Sequence, residues 1–397
     1  MTTSGSPSTP SAPVAGAPEN AAGRPRVAVV FGGRSSEHAI SCVTAAGVLA
    51  AIDRTRYDVV PVGITTAGRW VLVDDDPARF ELADGKLPEV PAAGPRVALA
   101  QEVGARALQL LDGPADGAPP GLAALQRVDV VLPLLHGPFG EDGTLQGLLE
   151  LSDTRYVGSG VLASAASMDK QVMKVLLAGA GLRVGPWTWF HARRWAADPA
   201  GCRADVEALG YPVFVKPARA GSSIGITKVA GPEGLAAAVE EALAHDPKVV
   251  VEATLAGREI ECGVLADLDG GEPLTSLPGE VEVVGGHDFY DFEAKYLDSA
   301  NVRLTCPADL PADVVAAVRR TAVAVFEAMG AEGLARVDLF VDPERGEEGV
   351  VVNEINTMPG FTPFSMYPRM WAQSGIDYPE LVDRLLQLAL RRPTGLR

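Results

Sequence analysis

The sequence predicts an α/β protein with more than one domain, and three observations point to that class. The chain has 397 residues, whereas a typical domain holds roughly 150. Short β-rich runs alternate along the chain with helical patterns, which is typical of α/β folds. Hydrophobic residues make up 47% and charged residues 21% of the sequence, an ordinary globular balance that excludes a fibrous or disordered protein.

The net charge and the cysteine spacing exclude further classes of protein. The formal net charge is −17, and an overall field this acidic disfavours binding to nucleic acid or to an anionic membrane. No predominantly apolar run approaches the roughly 18–20 residues that span a bilayer, so we predict no membrane insertion. The cysteines form no CxxC pair, which favours small buried residues in a cytoplasmic protein over a disulfide scaffold or a zinc site; they are Cys42, Cys202, Cys262 and Cys306.

The first domain is predicted to begin after a tail. Residues 1–25 carry several prolines among small residues, so we interpret them as disordered and, for want of an apolar core, not as a secretory signal. Arg26–Phe31 then predicts a strand, and Gly32 and Gly33 close it. Ser35 or Ser36 is predicted to cap a helix that runs to about Ile52, which completes the opening strand–turn–helix unit of an α/β domain.

The rest of this domain, which we place at 26–158, holds two further predicted strands. These are Tyr57–Ile64 and Asp129–Leu135, and the second runs into a glycine-rich turn at His136–Gly143. Residues 71–125 are rich in Pro, Gly, Asp and Ala. We interpret them as a partly exposed insertion with one helix near residues 100–111.

The second domain is predicted at 159–254. Ser167 is expected to cap a helix from Met168 to about Ala178, which two glycines end. Two β-type runs flank a Gly/Ser-rich loop, and a helix and a further strand follow; in order these elements are Tyr211–Lys216, the loop 217–223, Ile224–Val229, the helix Pro232–His245 and the strand Lys248–Leu255.

The third domain is predicted at 255–397 and contains the sharpest functional signal. Its predicted elements are the strand Glu259–Ala266, a loop at 285–297, the helix Asp313–Met329 and a hairpin of Leu334–Val341 with Gly349–Ile355.

The two strands of this hairpin place polar residues on one face. Side chains at i and i+2 of a strand share a face, so Arg336 accompanies Asp338, and Glu354 accompanies Asn356. A hairpin centred near Gly346 sets 338 opposite 354 and 336 opposite 356. Apolar residues are predicted to cover the other face, namely Val337, Leu339, Val341, Val351 and Ile355.

Two carboxylates and an amide oxygen in a compact group suit a hard cation such as Mg²⁺, which is usually shared with substrate phosphates. The alternative for this hairpin face is a solvated polar surface balanced by Arg336.

Lysines and a Gly/Ser-rich turn suggest phosphate binding. Lys216 precedes the segment PARAGSSIG (217–225), whose backbone N–H groups can surround phosphate oxygens. The spacing differs from a Walker A loop, and a plain hairpin turn is the alternative. Lys170 and Lys295 are isolated lysines, and each taken alone indicates only a surface residue. Beside a metal site, however, such lysines would help to neutralise several phosphate charges.

The turn after the first predicted strand, GGRSSEH (32–38), lacks GxGxxG spacing, which argues against dinucleotide binding. Glu37 is either capping support for its helix or the carboxylate that holds a substrate ammonium. The loop HGPFGEDG (136–143) is able to present His136 and Glu141 to a cleft, although a structural histidine is the alternative.

Taken together, the motifs resemble those of D-alanine–D-alanine ligases of the ATP-grasp superfamily, from Arg26 to about Leu390. The matching segments, in the family's order, are GGRSSEH, HGPFGEDGTLQG, SGVLASAASMDK, VKPARAGSSIG, DFYDFEAKY, LARVDLF and NEINTMPGFT. The resemblance implies a three-domain ATP-grasp architecture with an N-terminal parallel-sheet domain. It also implies that ATP converts one D-alanine to an acyl phosphate, from which the amine of a second D-alanine displaces phosphate.

The resemblance assigns the nucleotide and the metal by matching position. Lys170 and Lys216 are implied at the α- and β-phosphates and Lys295 near the γ-phosphate. Glu252 and Glu259 are implied at adenine and ribose, and Ser222 and Ser223 lie in the loop that covers the nucleotide. The implied ligands of two Mg²⁺ or Mn²⁺ ions are Asp338, Glu354 and Asn356, with Glu354 bridging.

The substrate residues are assigned in the same way. Glu37 is implied to receive the ammonium of the first D-alanine, linked to Ser222 and Tyr296, and His136 lies with them. Arg336 and the backbone N–H of Gly360 are implied to stabilise the oxyanion. Ser365 and Met366 fall where the carboxylate of the second substrate is held. A homodimer and a role in peptidoglycan synthesis are further implications.

Three alternatives stay open. The first is a D-alanine–D-lactate ligase or another ATP-grasp carboxylate–amine ligase, although the tyrosine at Tyr296 favours the dipeptide. The second is a nucleotide-binding regulator without turnover, which the presence of Arg336 and of all three implied metal ligands disfavours. An NAD-dependent oxidoreductase is weaker still for want of the fingerprint.

Overall fold

The computed structural model describes residues 23–82, 86–111, 123–283 and 302–395. The predicted tail lies outside these ranges except for residues 23–25, and the predicted loop at 285–297 lies outside them entirely. Within them, no helix combines the length and the apolar character needed to cross a membrane.

The first sheet is mainly parallel, as the family resemblance implied. Its strand order is β3-β2-β1-β7, and β1 pairs in parallel with both β2 and β7. Every residue of β1 is buried, as expected for a central parallel strand covered on both faces. The bounds are Arg26–Gly32 for β1, Asp58–Ile64 for β2, Trp70–Leu72 for β3 and Val130–Pro133 for β7.

Helix α1 runs from His38 to Ala51, and the prediction that a serine caps it is wrong. Glu37 is the N-cap residue and makes no side-chain cap bond. The Ser35 hydroxyl instead donates to the His136 carbonyl oxygen (2.7 Å) and accepts from the Glu37 N–H (3.3 Å). That pairing ties the turn before the helix to the 136–143 loop, so the serine serves the turn and not the helix end.

The predicted helix near residues 100–111 is also wrong. Three antiparallel strands form a small sheet, in which Leu108 pairs opposite Leu99 and both are buried. Burial of these leucines outweighs local helix propensity, which is a weak preference. The strands are β4 (Val97–Leu99), β5 (Ala107–Leu110) and β6 (Ala123–Arg127), and a 3₁₀ turn at Pro77–Phe80 precedes them.

Three helices lead from the first sheet to the second: α2 (Thr144–Leu151), α3 (Val161–Met168) and α4 (Lys170–Gly179). The predicted cap at Ser167 is wrong, because Ser167 lies inside α3. Asp169 caps α4, since its extended backbone separates the two helices and its carboxylate accepts from the Val172 N–H (3.1 Å). Helix α3 is absent from the sequence prediction.

The second sheet is antiparallel, with strand order β10-β9-β11-β8. The predicted runs on either side of the Gly/Ser loop are confirmed as β9 and β10, and the predicted helix and final strand as α7 and β11. The bounds are β8 (Trp187–His191), α5 (Ala192–Ala197), α6 (Pro199–Glu207), β9 (Val213–Pro217), β10 (Thr227–Val229), a 3₁₀ turn (Pro232–Gly234), α7 (Leu235–His245) and β11 (Lys248–Ala253).

The third sheet has the order β15-β14-β12-β16-β17, with β13 paired to β12. One hydrophobic cluster joins it to the first sheet, because Leu265, Val281 and Leu334 belong to the same core as Val29 and Phe31. The bounds are β12 (Arg258–Leu265), β13 (Leu274–Thr275), β14 (Gly279–Val283), β15 (Val302–Thr305), α8 (Ala312–Ala328), β16 (Leu334–Val341), a 3₁₀ connection (Pro343–Gly349), β17 (Val350–Asn356), α9 (Met366–Gln373) and α10 (Tyr378–Arg391).

The β16–β17 hairpin has the predicted pairing next to the polar residues. Arg336 lies opposite Asn356 and Asp338 opposite Glu354, but Leu339 pairs with Val352, so Asn353 is an extra residue in β17. This bulge reverses the alternation beyond it. Val350 and Val352 therefore join Ile355 in the core, whereas Val351 is only half-buried and its predicted place on the apolar face is wrong.

Candidate active site

A cavity of about 720 Å³ opens where the first, second and third sheets meet. It brings together every predicted site residue that the structure describes. The predicted residues along its wall are Glu37, His136, Lys170, Lys216, Ser222, Ser223, Glu252, Glu259, Arg336, Asp338, Glu354, Asn356, Gly360, Ser365 and Met366. Lys295 and Tyr296 lie outside the described residues.

The polar face of the hairpin lies on the cavity wall as a tightly paired group. Arg336 donates from Nε and Nη2 to the two carboxylate oxygens of Asp338, each at 2.6 Å. Its Nε also lies 3.3 Å from Oε1 of Glu261 on the neighbouring strand β12. Burial alone would lower the pKa of Arg336, but Asp338 and Glu261 outweigh it and raise that pKa, so the guanidinium stays charged.

Asp338, Glu354 and Asn356 supply two carboxylates and one amide oxygen from paired positions of the hairpin. Nowhere in 23–82, 86–111, 123–283 and 302–395 do three His, Cys, Asp or Glu side chains cluster as metal ligands, so the amide of Asn356 is needed as the third donor. An all-oxygen set of this kind fits Mg²⁺ or Mn²⁺ and suits neither zinc nor copper. A cation here would share Asp338 with Arg336.

Glu252, at the end of β11, is held between two lysines. Lys216 Nζ lies 2.7 Å from Oε2 and Lys174 Nζ lies 3.1 Å from Oε1. Burial opposes ionisation of Glu252, but the two ammonium groups outweigh it and lower the carboxyl pKa to about 2. Glu252 also raises the pKa of Lys216 against the effect of burial. Both groups are therefore charged near neutral pH.

Lys170 begins α4 and reaches the loop between β9 and β10. Its ammonium donates to the backbone oxygen of Ala220 at 2.8 Å. Burial lowers the pKa of Lys170, with Glu354 opposing the shift and Lys216 adding to it. An anion in the cavity would relieve this burial cost, which makes Lys170 a receptive group for phosphate.

Ser222 and Ser223 hold the Gly/Ser-rich loop in an uncommon shape, with φ values of +48° and +59°. Residues other than glycine adopt this left-handed region at a cost, and such residues cluster at functional sites. The Ser222 hydroxyl donates to Oε1 of Glu37, which ties the loop of the second sheet to the first helix.

Two glycines allow the backbone to approach Glu37 from both sides. A Cβ atom at Gly137 would lie 2.4 Å from Oε2 of Glu37, and one at Gly221 would lie 3.0 Å from the same oxygen. Gly137 also has a φ of +74°. The carboxylate of Glu37, which is 6% exposed, is thus enclosed between the 136–143 loop and the 217–225 loop.

His136 and Glu141 lie beside Glu37 in the buried wall. His136 Nε2 is 3.2 Å from the Thr44 hydroxyl, and burial lowers the pKa of His136 although Glu37 opposes the shift. Oε1 of Glu141 accepts from the Gly137 N–H at 2.7 Å. Burial and the nearby charge of Glu37 raise the pKa of Glu141 to about 8. Both side chains are therefore neutral at pH 7.

Gly360, Ser365 and Met366 form the part of the wall that leads into α9. The Ser365 hydroxyl lies 2.8 Å from the Thr362 hydroxyl, and Ser365 is the N-cap residue of α9. The first turn of a helix carries unpaired N–H groups and a partial positive charge. This end of the cavity is suited to a carboxylate.

The sequence prediction missed two charged residues that act on this wall. Lys174 lies four residues after Lys170, and this spacing places both on one helix face. That spacing is the sequence signal from which Lys174 could have been predicted. Glu261 lies two residues after Glu259 on β12 and pairs opposite Asp338. Its neighbours come from another strand, so no local pattern indicates its contact with Arg336.

Comparisons with known proteins point to one family. A family model described as the D-ala D-ala ligase N-terminus matches residues 26–159, and one described as the D-ala D-ala ligase C-terminus matches residues 176–387. A D-alanine–D-alanine ligase from Kineococcus radiotolerans is 83% identical over 94% of this chain and 99% of its own length. One from Pseudarthrobacter chlorophenolicus is 58% identical over 94% of this chain and 96% of its own.

Solved structures give the same result for the fold. The VanG D-Ala:D-Ser ligase from Enterococcus faecalis aligns with a TM-score of 0.77 at 33% identity, over 92% of this chain and 99% of that one. The D-alanine–D-alanine ligase from Coxiella burnetii aligns with a TM-score of 0.74 at 32% identity, over 92% and 94%. The α/β class and the resemblance are confirmed, and the chain belongs to the D-alanine–D-alanine ligase family.

Proposed function

We propose that this protein joins two D-alanine molecules, with ATP converted to ADP and phosphate, to make D-alanyl-D-alanine for peptidoglycan synthesis in the cytoplasm. The observation that carries the proposal is a cavity whose wall brings together the acidic hairpin face, Lys170 with Lys216, and Glu37. The 83% identity to a D-alanine–D-alanine ligase supports the same pair of substrates.

In this proposal the triphosphate lies along Lys170 and Lys216, and the nucleoside lies toward Glu252 and Glu259. Phosphoryl transfer to a carboxylate brings several negative oxygens together, so positive charge and positioning supply most of the catalysis. The Ser222–Ser223 loop adds backbone N–H groups. Lys295, outside the described residues, is assigned near the γ-phosphate by resemblance.

The proposed metal ligands are Asp338, Glu354 and Asn356. A divalent cation bound there would neutralise phosphate charge and polarise the phosphorus–oxygen bonds. Arg336, which the hairpin holds beside these ligands, remains a cation because the charges of Asp338 and Glu261 outweigh the cost of burial and raise its pKa.

The substrate chemistry follows in two steps. Glu37 receives the ammonium of the first D-alanine, whose carboxylate oxygen attacks the γ-phosphorus and displaces ADP. The amine of the second D-alanine, after losing a proton, attacks the acyl carbon, and phosphate leaves with the attacking oxygen of the first carboxylate. Arg336 and the Gly360 N–H face the oxyanion, and Ser365 with Met366 lies where the second carboxylate binds.

His136 contributes a neutral imidazole beside the first substrate, because burial lowers its pKa. Tyr296 is assigned to the link between Glu37 and Ser222 by resemblance only, since it lies outside the described residues.

The proposal also includes the domain division and the assembly. We place the domains at 26–158, 159–254 and 255–397, with 71–125 as an insertion, and we propose a homodimer.

The test is phosphate release from ATP and Mg²⁺ with D-alanine alone, then with D-alanine plus D-lactate or D-serine, with products identified by mass. We expect release that depends on D-alanine and D-alanyl-D-alanine as the main product. D-Serine is included because the aligned VanG protein is a D-Ala:D-Ser ligase. A mixed product as the main species would contradict the dipeptide assignment.

A further inference from the structure

The buried face of α4 carries a lysine for which the proposed reaction has no role. Lys174 is 2% exposed and is absent from the cavity wall, whereas Lys170, one helical turn earlier, and Glu252 both line it. Lys174 therefore contacts Glu252 from behind, on the side away from the cavity.

Each carboxylate oxygen of Glu252 contacts a different lysine, and the two lysines lie on opposite sides of the carboxylate. Lys174 lies 3.1 Å from Oε1 on the buried side, and Lys216 lies 2.7 Å from Oε2 on the cavity side. Only Lys216 of these two lines the cavity. A polyanion that enters the cavity meets Lys216 and not Lys174.

A nucleotide phosphate would draw Lys216 away from Glu252. When a buried carboxylate loses its counter-ion, the cost is high, because the remaining charge stays buried without compensation. Glu252 is 8% exposed, so solvent compensates only a small part of the lost ammonium. Lys174 removes that cost, since it stays bonded to Oε1 whatever Lys216 does.

We propose that Lys174 is a positioning residue for the nucleotide, the permanent counter-ion of Glu252 that leaves Lys216 free to bind a phosphate. The proposal rests on the ATP-dependent function argued above. Its chemistry requires no contact between Lys174 and the substrate, because the lysine acts only through the carboxylate.

The test substitutes Lys174 with Met, which keeps the length of the side chain and removes its charge. We expect the KM for ATP to rise on the order of tenfold, the effect of losing one hydrogen bond to a charged group. The KM for D-alanine and the kcat at saturating ATP should stay within about twofold of the wild type, the range in which separate sites are independent.

Glu252→Gln provides the second arm. In that background no buried carboxylate needs a counter-ion, so Lys174→Met should change the KM for ATP by less than about twofold. An equal rise in KM in both backgrounds, or no rise in either, would overturn the proposal.

Arg26→Met is a matched control, because Arg26 is also buried and paired (2.6 Å to Asp58) but lies away from the cavity. Arg26→Met is expected to lower the melting temperature and the active fraction of the enzyme without changing the KM for ATP. The same result for Lys174→Met would mean that Lys174 has only a structural role. If Lys174→Met fails to fold, Lys174→Gln keeps a donor without charge, and an unchanged KM for ATP in that variant would equally refute the role.

Calorimetric binding of AMP-PNP without D-alanine separates this inference from the proposed function. A wild type that binds the nucleotide but does not turn over D-alanine would refute the ligase proposal. The weaker binding expected for Lys174→Met would still be measurable, and equal binding by the two proteins would refute the role of Lys174.

Discussion

Buried charges around the cavity take their protonation states from their partners. Two lysines keep Glu252 ionised, with a carboxyl pKa of about 2, whereas burial beside Glu37 keeps Glu141 protonated up to about pH 8. Carboxyl groups of one residue type thus differ in charge because their neighbours differ. This division suits a site that must hold an ammonium and several phosphate oxygens together.

Glu354→Gln removes one charge from the proposed metal site and leaves the shape of the side chain. We expect kcat to fall by about a hundredfold or more, because a metal supplies several kcal/mol of charge stabilisation in a transition state. Circular dichroism should remain that of the wild type. The control is Glu344→Gln, an exposed glutamate in the connection of the same hairpin. Near-wild-type activity with an unchanged Mg²⁺ requirement would contradict the metal assignment.

Glu141→Gln tests the raised pKa of Glu141 through stability. Between the ordinary carboxyl value of 4.5 and about 8, the folded wild type keeps a proton that the unfolded chain releases. The stability from this group is present below pH 4.5 and is lost progressively as the pH rises to about 8. Gln does not titrate, so the variant should gain stability relative to the wild type over that range.

Urea midpoints at pH 5, 6, 7, 8 and 9 measure this difference between the two proteins. We expect the gap to change steadily up to about pH 8 and to stay constant above it. Parallel pH profiles would show that Glu141 has an ordinary pKa.

Prediction from sequence succeeded at residues whose neighbours are local. Arg336 and Asp338 share a strand face by alternation, so their grouping follows from the sequence. The ion pair of Lys174 with Glu252 links a helix to a strand 78 residues later, and no local pattern indicates which helix face meets which strand. The cavity residues that were assigned by resemblance could be identified only because all the motifs occur together and in the family's order.

At the scale of elements, one extra residue in β17 reconciles two demands on the same strand. Glu354 and Asn356 face the cavity, while Val350, Val352 and Ile355 all enter the core. Strict alternation does not satisfy both sets, and the bulge at Asn353 does. The sequence prediction assumed strict alternation and therefore misplaced Val351.

Deletion of Asn353 tests this account of β17. Without the bulge, either the polar pair leaves the cavity or Val350 and Val352 leave the core. We expect loss of activity or a stability loss of about 3 kcal/mol or more, since burying one valine contributes roughly 1.5–3 kcal/mol. Activity together with urea unfolding measures both outcomes. A deletion variant with wild-type activity and stability would contradict the account.

Two helix starts and the small sheet are elements that sequence reasoning predicted wrongly. The Ser35 hydroxyl donates to the His136 carbonyl oxygen, and the strand Ala107–Leu110 pairs with β4 on one side and β6 on the other. Both outcomes depend on partners distant in sequence. The three parallel strands β1, β2 and β7 were predicted within a few residues, since their apolar runs are local signals. Strand β3 was not predicted.

At the scale of the whole molecule, the site exists only where three sheets meet. The first sheet contributes Glu37 and His136, the second contributes Lys216 and Glu252, and the third contributes the hairpin. The Glu37–Ser222 hydrogen bond and the shared core of the first and third sheets hold these parts together. In the proposed reaction, a carboxylate substrate and a triphosphate share this one cavity.

The central claim is that this volume serves phosphoryl transfer to the carboxylate of D-alanine. The most direct measurement uses D-alanine labelled with ¹⁸O in its carboxylate, with unlabelled ATP and Mg²⁺, and mass analysis of the phosphate released. Because the attacking carboxylate oxygen leaves with the phosphorus, the account predicts one ¹⁸O in each phosphate formed, together with D-alanyl-D-alanine. Phosphate free of ¹⁸O would contradict it, since ATP would then be hydrolysed by water without activating the substrate.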